Sequence, residues 1–216
     1  MRRHPIPLLA GPVAAVLLLA GCAGTASPSG PKAGPPVSVS TPRALFDGAQ
    51  LATPTRRPSF TLTDTAGRSY DFNARTAGRP TFLYFGYTHC PDVCPTTMAN
   101  IATALREVPA QIRAKVDVVF VTTDPSRDTP PVVGAWLSHF DGDLARKFVG
   151  LTGSQAQLDT AQQAAGVPLA QDGGQTHSAQ VMLYGPDNLA RVFYLEGSSS
   201  DDMVHDLPLI AEGRHQ

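Results

Sequence analysis

Along this chain the spacing of apolar positions switches several times between a period of two and a period of three to four, the mark of strands alternating with helices. Phe60-Thr61-Leu62-Thr63-Asp64 alternates apolar and polar, Ala66-Gly67-Arg68 supplies a turn, and Tyr70-Asp71-Phe72 follows, so the segment predicts a hairpin. Thr81 to Phe85 is an apolar run that predicts a buried strand. From Pro95 to about Ile112, Met98, Ile101, Leu105 and Val108 recur at helical spacing. Val116 to Val121 is a second apolar, β-branched run, and it leads into Thr122-Thr123-Asp124-Pro125. Both of its faces read as buried, which fits a sheet covered on two sides.

Thr129-Pro130 then opens a helix carrying Val132, Val133, Trp136, Leu137 and Phe140, which Asp141-Gly142 ends. Phe148 to Leu151 predicts a short strand, and Ser154 caps a helix that runs to about Ala165 and stops at Gly166. After a loop from Gln171 to Thr176, the strands Ser178 to Tyr184 and Ala190 to Leu195 form a hairpin around Gly185-Pro186-Asp187-Asn188. Ser198 to Ser200 start a last helix through Met203, Leu207 and Ile210. The order predicts an α/β protein with a parallel core that the closing hairpin turns into a mixed sheet. A thioredoxin-like mixed sheet flanked by helices, with an N-terminal hairpin, has this layout.

The N-terminal region follows a different pattern. Met1-Arg2-Arg3-His4 is a short basic head, and Ile6 to Ala20 is an apolar run too short to span a membrane. It ends in Leu19-Ala20-Gly21-Cys22, which resembles a bacterial lipobox. That predicts a lipoprotein signal peptide over 1–21, lipid on the Cys22 thiol, and anchorage at the extracytoplasmic face of a bacterial cell membrane. Residues 22–58 are rich in Pro, Gly, Ser, Thr and Ala and predict a flexible tether. The expected folded domain covers 59–212. With 42% hydrophobic residues and a net charge of −1, the 216-residue chain has the material for one ordinary core, and it lacks the basic excess that a nucleic-acid binder needs.

Once Cys22 is assigned to the anchor, Cys90 and Cys94 remain as an even pair in an exported compartment. They lie where the strand Thr81 to Phe85 hands over to the helix beginning near Pro95, a setting whose free N–H groups and dipole favour thiolate. Three readings compete. A structural disulfide would close so short a loop that it removes only about 2 kcal/mol of unfolded-state entropy. A thiol–disulfide couple suits the position, although redox proteins of the thioredoxin type place two residues between the cysteines and this chain places three. A metal site for Cu(I) or Zn(II) needs at least one further ligand, and the candidate is His177, in front of the Ser178 to Tyr184 strand and behind the glycines Gly173-Gly174. His89, next to Cys90, reads as a local hydrogen-bonding residue. His139, His205 and His215 show no partner pattern and read as solvated. Met98 reads as core, with a thioether near the cysteines as its other reading. A peroxidase or redox sensor would need a threonine-assisted single nucleophile, for which only Thr88 offers itself.

The segments Gly86-Tyr87-Thr88-His89-Cys90-Pro91-Asp92-Val93-Cys94-Pro95-Thr96-Thr97, Val121-Thr122-Thr123-Asp124-Pro125-Ser126-Arg127-Asp128-Thr129-Pro130, and His177-Ser178 before a strand together resemble the Sco/SenC family. The resemblance covers about Thr53 to Ile210. It implies a membrane-tethered thioredoxin-fold protein that binds copper and helps to build the dinuclear copper centre of cytochrome c oxidase subunit II. By position it implies Cys90, Cys94 and His177 as copper ligands, with the cysteines also forming a redox disulfide. Asp124 matches the family's Asp-Pro, either as a carboxylate that orients groups around the metal or as a turn and helix-entry residue. The implied partners are subunit II of the oxidase, other copper chaperones or thiol reductants, and the membrane through the lipid anchor. The alternative is a thiol–disulfide oxidoreductase that keeps the oxidase copper-site cysteines reduced and carries no copper. One departure is the Gly- and Gln-rich loop before His177, where an aromatic residue is expected.

Overall fold

The computed structural model describes residues 44–214, so the expected signal peptide, the expected lipidation position Cys22, most of the expected tether and His215 lie outside the described residues. An eight-stranded sheet organises the described residues, with strand order β1-β8-β7-β4-β5-β6-β2-β3. In chain order the strands are β1 (Ala49–Arg56), β2 (Thr61–Asp64), β3 (Ser69–Asp71), β4 (Thr81–Gly86), β5 (Asp117–Thr122), β6 (Val149–Thr152), β7 (Val181–Tyr184) and β8 (Leu189–Tyr194). Only β4–β5 and β5–β6 pair in parallel. The hairpins β7–β8 and β2–β3 flank this core in antiparallel pairing. The sheet is mixed, as the element order predicts.

Every residue of β4 and β5 is buried, because helices cover both faces. Phe82, Tyr84, Val118 and Phe120 point to one face, beneath α2 (Val93–Glu107), α4 (Pro130–Asp141) and α6 (Ser200–Ala211). Leu83, Phe85, Val119 and Val121 point to the other, where α1 (Phe72–Thr76) and α5 (Gln155–Ala164) pack with Phe60 and Leu62. The two-residue period of the strand alone assigns each side chain to its layer. Ser154 caps α5 in a reciprocal capping box with Gln157.

Four expectations need correction. The tether does not reach Pro58: Ala49–Arg56 is an edge strand paired with β8. Its mostly exposed side chains and Pro54, which falls in a register irregularity between Gln50 and Thr55, hide it from a pattern search. The helix expected to run to Ile112 breaks at Val108, which is extended because Pro109 follows, and resumes as α3 (Ala110–Arg113). Phe72, expected to extend the hairpin, instead begins α1, which Asp71 caps by accepting from the Ala74 N–H. The strand expected from Ser178 begins only at Val181, so His177 sits within a loop.

The start of β1 is fastened by a buried carboxylate. Asp206 on α6 accepts from the Asp47 N–H at 2.8 Å, the Gly48 N–H at 2.9 Å and the Tyr194 hydroxyl at 3.1 Å. His205, read as solvated, holds the same carboxylate through Nδ1 at 2.8 Å. Replacing Asp206 by Ala leaves two amides and a phenol without their acceptor. Denaturant unfolding should show a loss of about 2–4 kcal/mol, and a loss below about 0.5 kcal/mol would mean that water replaces the carboxylate at no cost.

Candidate metal centre

The candidate centre lies at the C-terminal end of the parallel strands. β4 ends at Gly86, and the chain turns through Tyr87 to Asp92 before α2 begins. Cys90 lies in this turn and is partly exposed, whereas Cys94 is the second residue of α2 and fully buried. Asp92 precedes the helix without a capping side-chain bond. Cys90 takes that role, with its Sγ accepting from the Cys94 N–H at 3.3 Å. The absence of a side chain at Gly86 makes room for the second sulfur, since a Cβ there would lie 2.9 Å from Cys94 Sγ.

The turn is held from below by Asp128, which is fully buried. It accepts from the Thr88 N–H at 2.9 Å, the Thr88 hydroxyl at 2.6 Å and the Thr122 hydroxyl at 2.7 Å, tying the cysteine turn to the end of β5. His89 makes the local contact expected of it, with Nδ1 3.0 Å from Thr88 Oγ1.

His177 arrives on the loop between α5 and β7. Gln171 and Thr176 pinch this loop by exchanging backbone hydrogen bonds at 2.8 and 3.2 Å. Between them, Gly174 at φ +93 presses on the turn after β5, where a Cβ would lie 1.9 Å from the Thr123 carbonyl oxygen. The Thr123 hydroxyl donates to the Gly174 carbonyl at 2.7 Å. The glycines thus do bring the loop close, with the β5 turn rather than the cysteine turn as the anchoring surface.

The three expected ligands meet. Their donor atoms all lie within 4.8 Å of one another, and His177 Nε2 is 3.4 Å from Cys94 Sγ. His177 Nδ1 is 2.9 Å from the Ser178 carbonyl oxygen. A proton on Nδ1 donated there leaves the Nε2 lone pair facing the sulfurs. Burial holds the imidazole below its ordinary pKa, against the opposing pull of the Ser178 and Phe85 backbone bonds, so the neutral ligating form prevails at neutral pH. Two soft thiolates and one imidazole suit a soft ion of low coordination number.

The two thiols differ in acidity. Partial burial works against charge on Cys90, but hydrogen bonds from the Cys94 and Asp92 N–H groups, with the Cys94 and Tyr87 side chains, outweigh it and hold this thiol below the ordinary value. Burial pushes Cys94 up to about 12, despite bonds from the Tyr84 hydroxyl and the Tyr87 amide. The expectation that the helix start favours thiolate therefore holds for Cys90 and is reversed for Cys94.

Asp124 does not touch the ligands. It accepts from the Ser126 hydroxyl at 2.6 Å and pairs with Arg127, whose guanidinium lies 5.7 Å from the centroid of the Tyr87 ring. Tyr87 in turn meets the His177 ring edge-on, at 5.5 Å and 89°. Burial opposes charge on Asp124, but Ser126 and Arg127 hold the carboxyl below its usual range. Tyr84, Tyr87, Arg127 and Asp128 were not singled out from the sequence, because each acts through contacts that its local sequence does not encode. Tyr87 supplies an aromatic contact to His177 from the cysteine turn rather than from the His177 loop. Met98, on α2, is fully buried in the core between that helix and the sheet.

Fold and site together define a thioredoxin-like protein with a cysteine pair and a histidine gathered for metal or thiol chemistry. A family model described as SCO1/SenC matches residues 48–212, and the chain belongs to that family. A Stutzerimonas stutzeri protein named "Putative copper-binding protein" is 34% identical over 179 residues, which cover 78% of this chain and 85% of that protein. A Rickettsia felis SCO2-like protein is 38% identical over 99 residues, 46% of this chain and 45% of its own length. Among solved structures, ScoI of Bradyrhizobium japonicum with copper bound is 31% identical at a TM-score of 0.60, covering 72% of this chain and 99% of that one.

Two measurements check this geometry. Alkylation of the reduced protein should label Cys90 first, with a rate that levels off below the ordinary cysteine pH range, while Cys94 labelling still climbs at the highest pH that preserves the fold. Equal rates would contradict the asymmetry. Gly174→Ala should lower stability by about 2–4 kcal/mol and raise amide exchange across residues 171–180, because both the positive φ and the Thr123 carbonyl oppose a Cβ.

Proposed function

We propose that this chain is a lipid-anchored copper chaperone that delivers copper to the dinuclear centre of cytochrome c oxidase subunit II. The observation that carries the reading is the convergence of Cys90 Sγ, Cys94 Sγ and His177 within 4.8 Å, from segments far apart in sequence. Copper-bound ScoI, a relative of the same fold, supports copper as the cargo. Reduced Cys90 and Cys94 with neutral His177 would receive Cu(I), and a low coordination number leaves space for an incoming thiolate of the recipient. Transfer by ligand exchange then needs no free ion. Asp124 contributes indirectly, by fixing Arg127 over Tyr87 and so bracing the ring against which His177 rests. Residues 1–22 support export and anchorage at the extracytoplasmic membrane face, and no helix among the described residues is long and apolar enough to cross a membrane.

A second reading, thiol–disulfide exchange with the recipient's cysteines, is favoured by the unequal acidities of the pair. The exposed Cys90 thiolate would attack a partner disulfide, and Cys94 would then displace the partner's thiolate while closing the Cys90–Cys94 bond. The readings separate at His177. Competition of the reduced domain against a chromogenic Cu(I) chelator should show that His177→Ala and Cys90→Ser each weaken binding by roughly 10-fold or more, since even residues that only support a ligand typically contribute that much. Unchanged Cu(I) affinity in His177→Ala, with oxidase assembly lost only in the cysteine variants, would favour exchange alone.

A further inference from the structure

Beneath the cysteine turn, Tyr84 on β4 places its hydroxyl 3.2 Å from Cys94 Sγ, donating to the sulfur. The Thr97 side chain, one turn along α2 from Cys94, faces the same hydroxyl and is placed to donate to its oxygen. Tyr84 is completely buried. Its ring packs against Phe120 at 6.0 Å and His177 at 6.2 Å between centroids, contacts that a phenylalanine ring would keep. The hydroxyl is therefore dispensable for filling space, and a buried hydroxyl costs stability unless its bonds are made. Here those bonds run from α2 to the sulfur.

We propose that Tyr84 is a tuning residue, whose hydroxyl biases the Cys90/Cys94 pair toward the reduced, metal-competent form. The inference rests on the reading that the pair cycles between dithiol and disulfide. With glutathione as the redox probe, the reaction is disulfide plus two glutathione thiols giving dithiol plus glutathione disulfide: one protein S–S bond breaks, one glutathione S–S bond forms, and two protons pass to the protein sulfurs. In the dithiol, Cys94 Sγ is a full acceptor for the Tyr84 hydroxyl. In the disulfide the sulfur is neutral, bonded to Cys90 Sγ at about 2.05 Å, and drawn toward it, so the bond from Tyr84 weakens. A bond made more strongly in the reduced state stabilises that state. Thr97 reinforces it by engaging the phenol oxygen and polarising the donor.

The test equilibrates the protein with glutathione buffers at fixed pH and measures the dithiol fraction. Tyr84→Phe should shift the equilibrium about fivefold toward disulfide, the worth of one net hydrogen bond, or about 20 mV in potential. Thr97→Val should shift it the same way by up to about twofold, and it carries the test if Tyr84→Phe fails to fold. Thr96→Val, whose hydroxyl turns to Asp92 instead, should leave it unchanged. If the wild-type pair cycles but the Tyr84→Phe or, failing that, the Thr97→Val equilibrium is unmoved or moves toward dithiol, the tuning role is overturned while the redox reading stands. An equal shift in Thr96→Val would assign the effect to the helix turn and overturn it too. A wild-type pair that forms no disulfide overturns the redox reading and this inference with it.

Discussion

The backbone of Gly174 lies so close to the Thr123 carbonyl that no other residue fits between them, and the centre depends on this approach. The strand end, the cysteine turn and the His177 loop are three separate pieces of chain. Asp128 ties the first two together through Thr88 and Thr122, and Gly174 presses the third onto the turn after β5. Each joint is made by backbone and short polar side chains, which leave little slack. A histidine 83 residues from Cys94 in sequence can then stand 3.4 Å from its sulfur, with the Tyr87 ring of the cysteine turn against its imidazole.

Within that frame the two sulfurs have different environments, for reasons set by the helix start. Cys90 lies outside the first turn and receives its free N–H groups, while Cys94 lies inside it and is packed against the strand. One sulfur is partly exposed and the more acidic, and the other is sheltered and the less acidic. That division suits a metal site that must open to a partner without losing its ion to water, and it equally suits a pair that attacks with one sulfur and resolves with the other. Copper delivery and thiol exchange draw on the same asymmetry, so a single arrangement of residues can support both.

Much of the fold was legible in the sequence, because strands buried on both faces and helices with one apolar stripe leave strong periodic signals. The Thr81 and Val116 runs, the helix opened by Thr129-Pro130 and the Ser154 cap emerged as β4, β5, α4 and α5. What the pattern missed was held by other forces. β1 is an exposed edge strand fixed by backbone pairing and by Asp206, neither of which leaves an apolar trace. The break at Val108 turns on a single following proline. At the site, the motif identified the cysteines and the histidine, and the glycines hinted at how the loop approaches. The supporting residues were silent: Asp128, Tyr84 and Tyr87 act through contacts across the sheet that no local spacing encodes.

In the proposed centre, both sulfurs and the imidazole bind one ion together. X-ray absorption of the reduced domain loaded with one equivalent of Cu(I) tests it most directly. Two sulfur scatterers and one nitrogen scatterer, with the nitrogen shell lost in His177→Ala, is the predicted result. A sulfur-only shell in the wild-type protein would contradict it and leave His177 as a neighbour of the pair rather than a ligand.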